Sequence, residues 1–223
     1  MSAPTDDSRG PVRRAAARLV GALIVFLARL VTAVRAEWAG AEPVARTRIY
    51  FANHTSNGDF VLIWTVLPPG LRRRTRPVAG MDYWERSTIR RFVIHDVFHA
   101  VGVVRGPGGD PVEAGRAMGA ALAAGRSLIL FPEGTRNTTE APLLPFRPGL
   151  WHLAQDHPQV ELVPVWIENL NRVMPKGEIV PVPLICTVTF GAPLARVEGE
   201  GKEDFLSRAR AALLATRPGG DAP

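Results

Sequence analysis

Short apolar runs alternate along this chain with longer segments whose apolar residues recur at helical spacing. Runs typical of buried strands occur at 48–52, 77–80, 101–104, 127–131, 160–166 and 184–190. Segments with helical spacing or helix start signals lie at 59–67, 83–99, 111–124, 149–156 and 203–215. Strands that alternate with helices predict an α/β fold with a mainly parallel central sheet flanked by helices.

The segment from Val12 to Trp38 is apolar but carries arginines at helical spacing. A helix that spans a membrane requires about 20 apolar residues without charge. Arg29, near the middle, would cost about 2.5–3.5 kcal/mol on an insertion scale. We therefore expect residues 12–40 to form a helix that lies in the membrane interface. A spanning helix, a core helix and a signal peptide cleaved near Ala39-Gly40-Ala41 are the alternatives.

The remaining length suits one domain, which we place at 41–216. The polar residues 1–11 and the tail 217–223 are expected to be disordered. The lone cysteine, Cys186, lies in an apolar run and is expected to be a core residue in a reducing compartment.

The chain is basic, with a formal net charge of +6. Lys176 and Lys202 are the two lysines, so 25 of the 27 basic residues are arginine. Arginine binds phosphate with two parallel hydrogen bonds, which favours an anionic membrane or a phosphorylated substrate as partner. A genomic bias toward arginine would give the same composition. Neither zinc-finger spacing nor an RNA-recognition motif occurs, so nucleic acid is not an expected partner.

A polar loop at 53–59 separates the strand at 48–52 from the next helix, and it contains His54 and Asp59. A histidine can take a proton from an alcohol, and a carboxylate on its other ring nitrogen fixes the tautomer and stabilises the cation. No Gly-x-Ser-x-Gly segment occurs, so the alcohol would belong to the substrate. In the alternative interpretation, Ser56 and Asp59 form a capping box that only starts the helix.

The strand at 127–131 ends in Phe131-Pro132-Glu133-Gly134-Thr135-Arg136. With this segment, the chain resembles the 1-acylglycerol-3-phosphate acyltransferase family of glycerolipid synthesis. That family carries His-x-x-x-x-Asp, an arginine segment, Phe-Pro-Glu-Gly-Thr and Val-Pro-Val in this order. The matching residues here are His54 with Asp59, Arg105, 131–136 and Val163-Pro164-Val165, and the resemblance covers roughly residues 45–195. Val104 stands where the family often has an acid.

The resemblance implies the glycerolipid acyltransferase fold and transfer of a fatty acyl group to the free hydroxyl of 1-acyl-glycerol 3-phosphate, which gives phosphatidate. The donor would be the thioester of coenzyme A or of acyl carrier protein, with no cofactor and no metal. His54 and Asp59 would be catalytic. The residues that would bind substrate are Arg105, Glu133, Gly134, Thr135 and Arg136.

The resemblance also implies a lysophospholipid acceptor and a peripheral or monotopic position on the cytoplasmic face of the cell membrane. The residues themselves support the grouping, because His54, Arg105 and Glu133 each follow a predicted strand directly. In open α/β sheets, ligands bind at the carboxyl ends of the strands.

Three alternatives remain open. The acceptor could be glycerol 3-phosphate, another lysophospholipid or a non-glycerol alcohol. The chain could be a basic membrane-binding module without catalysis. His95 and His99, which flank Asp96 at helical spacing, resemble the zinc helix of metalloproteases, although that motif uses glutamate as its acid.

Overall fold

A computed structural model of the protein describes residues 10–104, 108–168 and 185–218. Arg105 therefore lies outside the described residues. Within them, seven strands form one sheet in the order β1-β7-β6-β2-β5-β3-β4. The strands are β1 (Arg35–Ala39), β2 (Arg48–Ala52), β3 (Thr75–Gly80), β4 (Val101–Val103), β5 (Ser127–Leu130), β6 (Glu161–Glu168) and β7 (Thr187–Gly191).

Helices cover both faces of this sheet. They are α1 (Pro11–Thr32), α2 (Asp59–Val66), α3 (Pro69–Arg72), α4 (Met81–Trp84), α5 (Thr88–Phe92), α6 (Pro111–Ala123), α7 (Gly149–Asp156) and α8 (Lys202–Ala215). After α5 the chain continues as a π-helical segment, Val93–Val97.

The expected mainly parallel sheet is confirmed. Strands β6, β2, β5, β3 and β4 are parallel neighbours, whereas β7 runs antiparallel to β6 and parallel to β1. The parallel strands therefore begin at one edge of the sheet and end at the other. The side of the sheet where these strands begin is called the amino edge below, and the side where they end is called the carboxyl edge. Neither term refers to the outermost strands.

The N-terminal helix is shorter than the predicted 12–40. It ends at Thr32, after which Ala33 adopts the left-handed conformation with φ 42. Residues Arg35–Ala39 instead form the edge strand β1, in which Trp38 stacks on Phe190 of β7 with 4.1 Å between ring centroids. Pairing with a strand about 150 residues away overrides the helical spacing of this segment.

The prediction of one continuous helix at 83–99 is also wrong, because the helix is interrupted after Trp84. Ser87 accepts a hydrogen bond from the Arg90 amide and starts a new helix, α5. The π-helical segment that follows ends near His99, which has φ 50.

Strand β2 lies at the centre of the molecule, and every residue in it is buried. Successive side chains of a strand point to opposite faces. Tyr50 packs in the core under α1 and α2, while Ile49 and Phe51 pack in the core under α6, α7 and α8. The strand thus holds the loop that follows it, which contains His54, between two packed layers.

Candidate functional site

His54 and Asp59 form a hydrogen-bonded pair at the carboxyl edge, directly after β2. His54 Nδ1 lies 2.8 Å from Asp59 Oδ2, and the two residues are 7% and 0% exposed. With a carboxylate on Nδ1, the proton of the neutral ring is held there and the lone pair lies on Nε2. In the described part of the chain, Nε2 has no hydrogen-bond partner. The pair can therefore accept a proton at Nε2.

Asp59 also holds the loop in shape. Its Oδ2 accepts the backbone amides of Thr55 at 2.7 Å and of Ser56 at 2.9 Å. Helix α2 starts at Asp59 itself, with Gly58 as its N-cap, so Ser56 and Asp59 do not form the predicted capping box, and these bonds hold the loop before the helix. Within the described residues, Asp59 Oδ1 is buried without a hydrogen-bond partner.

Phe131 fixes the plane of the imidazole ring. The two rings stack with 4.2 Å between centroids and 17° between planes. Phe131 directly follows β5, which neighbours β2 in the sheet. The stack therefore brings the 131–136 segment against His54, as the strand-end argument predicted.

Glu133 connects three parts of the site through its buried carboxylate, which is 2% exposed. Oε1 accepts the backbone amide of His54 at 2.8 Å, and Oε2 accepts that of Leu144 at 2.7 Å. Burial raises the pKa of Glu133, and these two amide hydrogen bonds act against that rise. Both oxygens are engaged by the main chain, so the geometry assigns Glu133 to holding the loops together.

Gly134 occupies a position that only glycine adopts without strain. Its φ is +70, and a Cβ at this position would collide with the side chain of Arg147. The Gly134 amide donates to Phe131 O at 3.0 Å, so it is engaged within the turn. In the part of the chain that the structure describes, the amides of Thr135 and Arg136 have no such partner.

Arg136 and Arg147 supply exposed positive charge beside this turn. Arg147 lies against Gly134, and its Nε donates to Glu133 O over a long 3.4 Å. The sequence analysis singled out Arg136 but not Arg147. The one feature of the sequence that could have indicated Arg147 is its position at the end of a proline-rich segment, just before α7.

Asn53 is a second residue that sequence reasoning missed. Its buried amide group donates to Ile167 O at 3.0 Å and accepts from Ile167 N at 2.8 Å. Asn53 thereby ties the end of β2 to β6. The Val163-Pro164-Val165 segment lies within β6 with all three residues buried, and it contributes packing.

The rival histidine pair lies away from this site. His95 Nε2 is 2.7 Å from Glu85 Oε1, and Asp96 is paired with Arg13. Among residues 10–104, 108–168 and 185–218, no three His, Cys, Asp or Glu side chains are grouped as a metal ion would require.

A family model of known proteins covers the segment that contains this site. The family model described as Acyltransferase matches residues 35–168, which span the whole site. The chain therefore belongs to the acyltransferase family.

Similar curated proteins carry a more particular name. A 1-acyl-sn-glycerol-3-phosphate acyltransferase of Limnanthes alba is 26% identical over 182 residues, covering 79% of this chain and 59% of the relative. The protein of the same name from Saccharomyces cerevisiae is 27% identical over 152 residues, covering 66% of this chain and 47% of its own. This chain thus spans about half to three fifths of the length of these relatives.

A solved structure shares the fold. The crystal structure of the 1-acyl-sn-glycerophosphate (LPA) acyltransferase from Thermotoga maritima superposes with a TM-score of 0.64. The match covers 92% of this chain and 81% of that one, at 20% sequence identity.

Proposed function

We propose that this protein transfers a fatty acyl group from a thioester to the free hydroxyl of 1-acyl-glycerol 3-phosphate, forming phosphatidate. The observation that carries the proposal is the buried hydrogen bond of 2.8 Å between His54 Nδ1 and Asp59 Oδ2. This bond leaves the lone pair of His54 Nε2 at the carboxyl edge of the sheet, where ligands of such folds bind. The names of the relatives supply the acceptor.

In the proposed reaction His54 is the general base. Nε2 accepts the proton of the acceptor hydroxyl as its oxygen attacks the thioester carbonyl carbon, and Asp59 stabilises the resulting imidazolium. The C–S bond then breaks, and the imidazolium returns the proton to the departing thiolate. The products are one ester and one thiol, and no covalent intermediate on the protein and no cofactor is needed.

The 131–136 turn contributes the remaining groups. The amides of Thr135 and Arg136 are available to bind the oxyanion that forms on the thioester carbonyl. Arg136 and Arg147 place two guanidinium groups beside the turn, where they suit the acceptor phosphate. Arg105 joins them in the proposal through the family resemblance. Gly134 allows the main chain to turn tightly here, and Glu133 positions His54.

Helix α1 would keep the site at the membrane. Pro11–Thr32 is long and apolar enough to cross a bilayer by length and composition. Large exposed apolar side chains cover its outer face: Val12, Leu19, Leu23, Phe26, Leu27 and Leu30. Because Arg29 also lies on this helix, we propose that α1 lies in the membrane interface and does not span the bilayer. The membrane face would be the cytoplasmic one, where thioester donors occur.

The test is thiol release from an acyl thioester by the purified full chain with lysophosphatidate. His54→Ala should lower kcat about 10²–10⁴-fold, because the general base is removed. Asp59→Asn should give a comparable loss, since an amide can donate to Nδ1 and favour the wrong tautomer. His152→Ala, an exposed histidine on α7, is the matched control and should retain full activity.

A panel of acceptors tests the substrate. Glycerol 3-phosphate, other lysophospholipids and a non-glycerol alcohol should each give lower kcat/KM than lysophosphatidate, and acyl-CoA and acyl carrier protein thioesters should be compared as donors. A better acceptor in the panel would replace the proposed one. Unchanged thiol release by His54→Ala would refute catalysis at this site.

A further inference from the structure

A groove of about 910 Å³ lies beneath the N-terminal half of α1, and eight arginines line it. They come from three parts of the chain: α1, the segment from α3 into β3, and the turn before β5. Of the described carboxylates, only that of Asp96 lines the groove, and Arg13 pairs with it through two hydrogen bonds of 2.8 Å. The groove therefore has a strong surplus of positive charge.

This groove is separate from the His54 site. Pro43 and Ala45 precede β2, Arg73 and Arg74 precede β3, and Arg126 precedes β5, so these lining residues lie at the amino edge of the sheet. His54 and the 131–136 turn lie at the carboxyl edge. The fully buried strand β2, about 16 Å long at about 3.3 Å per residue, separates the two.

Several of the groove charges have no counterion among the residues that the structure describes. Within the described residues, the guanidinium groups of Arg14, Arg18, Arg73 and Arg126 have no hydrogen-bond partner. Arg72 donates to three backbone carbonyls at the end of α2. Because these acceptors are neutral, they do not cancel its positive charge. Like charges gathered around a concave surface repel one another and raise the local concentration of anions. The arrangement is suited to a ligand with phosphate oxygens, which arginine binds bidentately.

The position of the groove on α1 indicates where that phosphate comes from. At 100° per residue, Arg14 and Arg18 fall on one flank of the helix, about a third of a turn from the exposed ridge formed by Leu19, Phe26 and Leu30. These ridge side chains are 72%, 61% and 67% exposed. A lipid whose tails contact the ridge would have its headgroup at the level of the flanking arginines.

We propose that this groove is a binding site for the phosphate headgroup of an anionic phospholipid, distinct from the site of acyl transfer. A thioester donor fits it less well, because the reactive carbonyl must reach His54 at the other edge of the sheet. The site would orient α1 on anionic membrane and is independent of the proposed reaction.

The experiment measures partition of the full chain onto vesicles of phosphatidylcholine alone and of phosphatidylcholine and phosphatidylglycerol in equal parts. The test variant is Arg73→Gln with Arg126→Gln, an exposed and a half-buried side chain, both without side-chain hydrogen bonds in the described residues. The control carries the same charge change at two exposed arginines outside the groove, Arg116→Gln with Arg196→Gln. Equal melting temperatures would show that all the proteins fold.

We expect the groove variant to bind the anionic vesicles about 30-fold more weakly than the unaltered protein, from about a factor of five per arginine near an anionic surface. The control should change less than about threefold. Equal losses in both variants would mean that overall charge, not the groove, governs binding, and no loss in either would remove the site; both results overturn the proposal.

Two further arms identify the source of the phosphate. Calorimetric titration with inorganic phosphate and with coenzyme A should show no binding that depends on Arg73 and Arg126. Groove-dependent binding of either would assign the groove to a soluble ligand and overturn the lipid proposal. Vesicle binding should persist in His54→Ala, so failure of the catalytic hypothesis and failure of this one remain distinguishable.

Discussion

Glu133 provides the sharpest test of how the site is held together. The family resemblance assigns this residue to acceptor binding, whereas its two oxygens accept the amides of His54 at 2.8 Å and Leu144 at 2.7 Å. In Glu133→Gln one oxygen remains, and an NH2 group faces the other amide. The change removes one hydrogen bond to a charged acceptor and leaves a buried N–H opposite a donor, at a cost of about 2–4 kcal/mol.

The predicted result has a thermodynamic and a kinetic part. Thermal unfolding should occur roughly 4–16 °C lower, at about 2–4 °C per kcal/mol for a chain of this size. Because His54 would lose its backbone anchor, kcat should fall about 10–100-fold, while KM for the acceptor changes less than about threefold. Calorimetry and initial rates with varied acceptor measure the two parts.

Glu140→Gln is the matched control, because Glu140 is exposed, follows the same turn and makes no side-chain hydrogen bond within the described residues. It should shift stability by less than about 0.5 kcal/mol. Should Glu133→Gln instead melt like the unaltered protein and raise KM for the acceptor with kcat unchanged, the positioning role would be refuted and the acceptor-binding role restored.

Three further perturbations test other parts of the structure. Gly134→Ala should lose about 1–2 kcal/mol of stability and at least about tenfold in kcat, because its φ of +70 is strained for alanine and the new methyl group displaces Arg147. Asn53→Ala should lower the free energy of unfolding by about 2–4 kcal/mol, measured in urea, because the buried amide and carbonyl of Ile167 lose their partner. Burial raises the pKa of Cys186 from 9.0 to about 11, so a thiol reagent at pH 8 should label it only in denaturant. The same shift should make stability fall as the pH rises from 9 to 11, where the unfolded thiol ionises and the folded one does not.

Each of these has its own control or contrary outcome. Gly70→Ala, a glycine with open space around its Cβ position, should be close to neutral. Equal losses in the two glycine variants would show that the strain at Gly134 is not the cause. An Asn53→Ala variant as stable as the unaltered protein would remove the proposed tie between β2 and β6. Rapid labelling of native Cys186 would show that the core around it opens readily.

The sequence alone determined the α/β fold and the pairing of His54 with Asp59. Both follow from local patterns: apolar runs of strand length that alternate with helical spacing, and a polar loop of fixed length between one strand and the helix after it. The strand-end rule then placed the 131–136 segment at the same edge, since parallel neighbours end together.

The tertiary structure decided the features that depend on residues distant in sequence. Strand β1 forms because it pairs with β7. The Glu133 carboxylate accepts a hydrogen bond because the fold brings the amide of His54, 79 residues earlier, within reach. The arginine groove likewise brings together segments as far apart as Arg14 and Arg126. Periodicity and caps act over a few residues, whereas these contacts exist only once the layers have packed, so no local pattern in the chain could specify them.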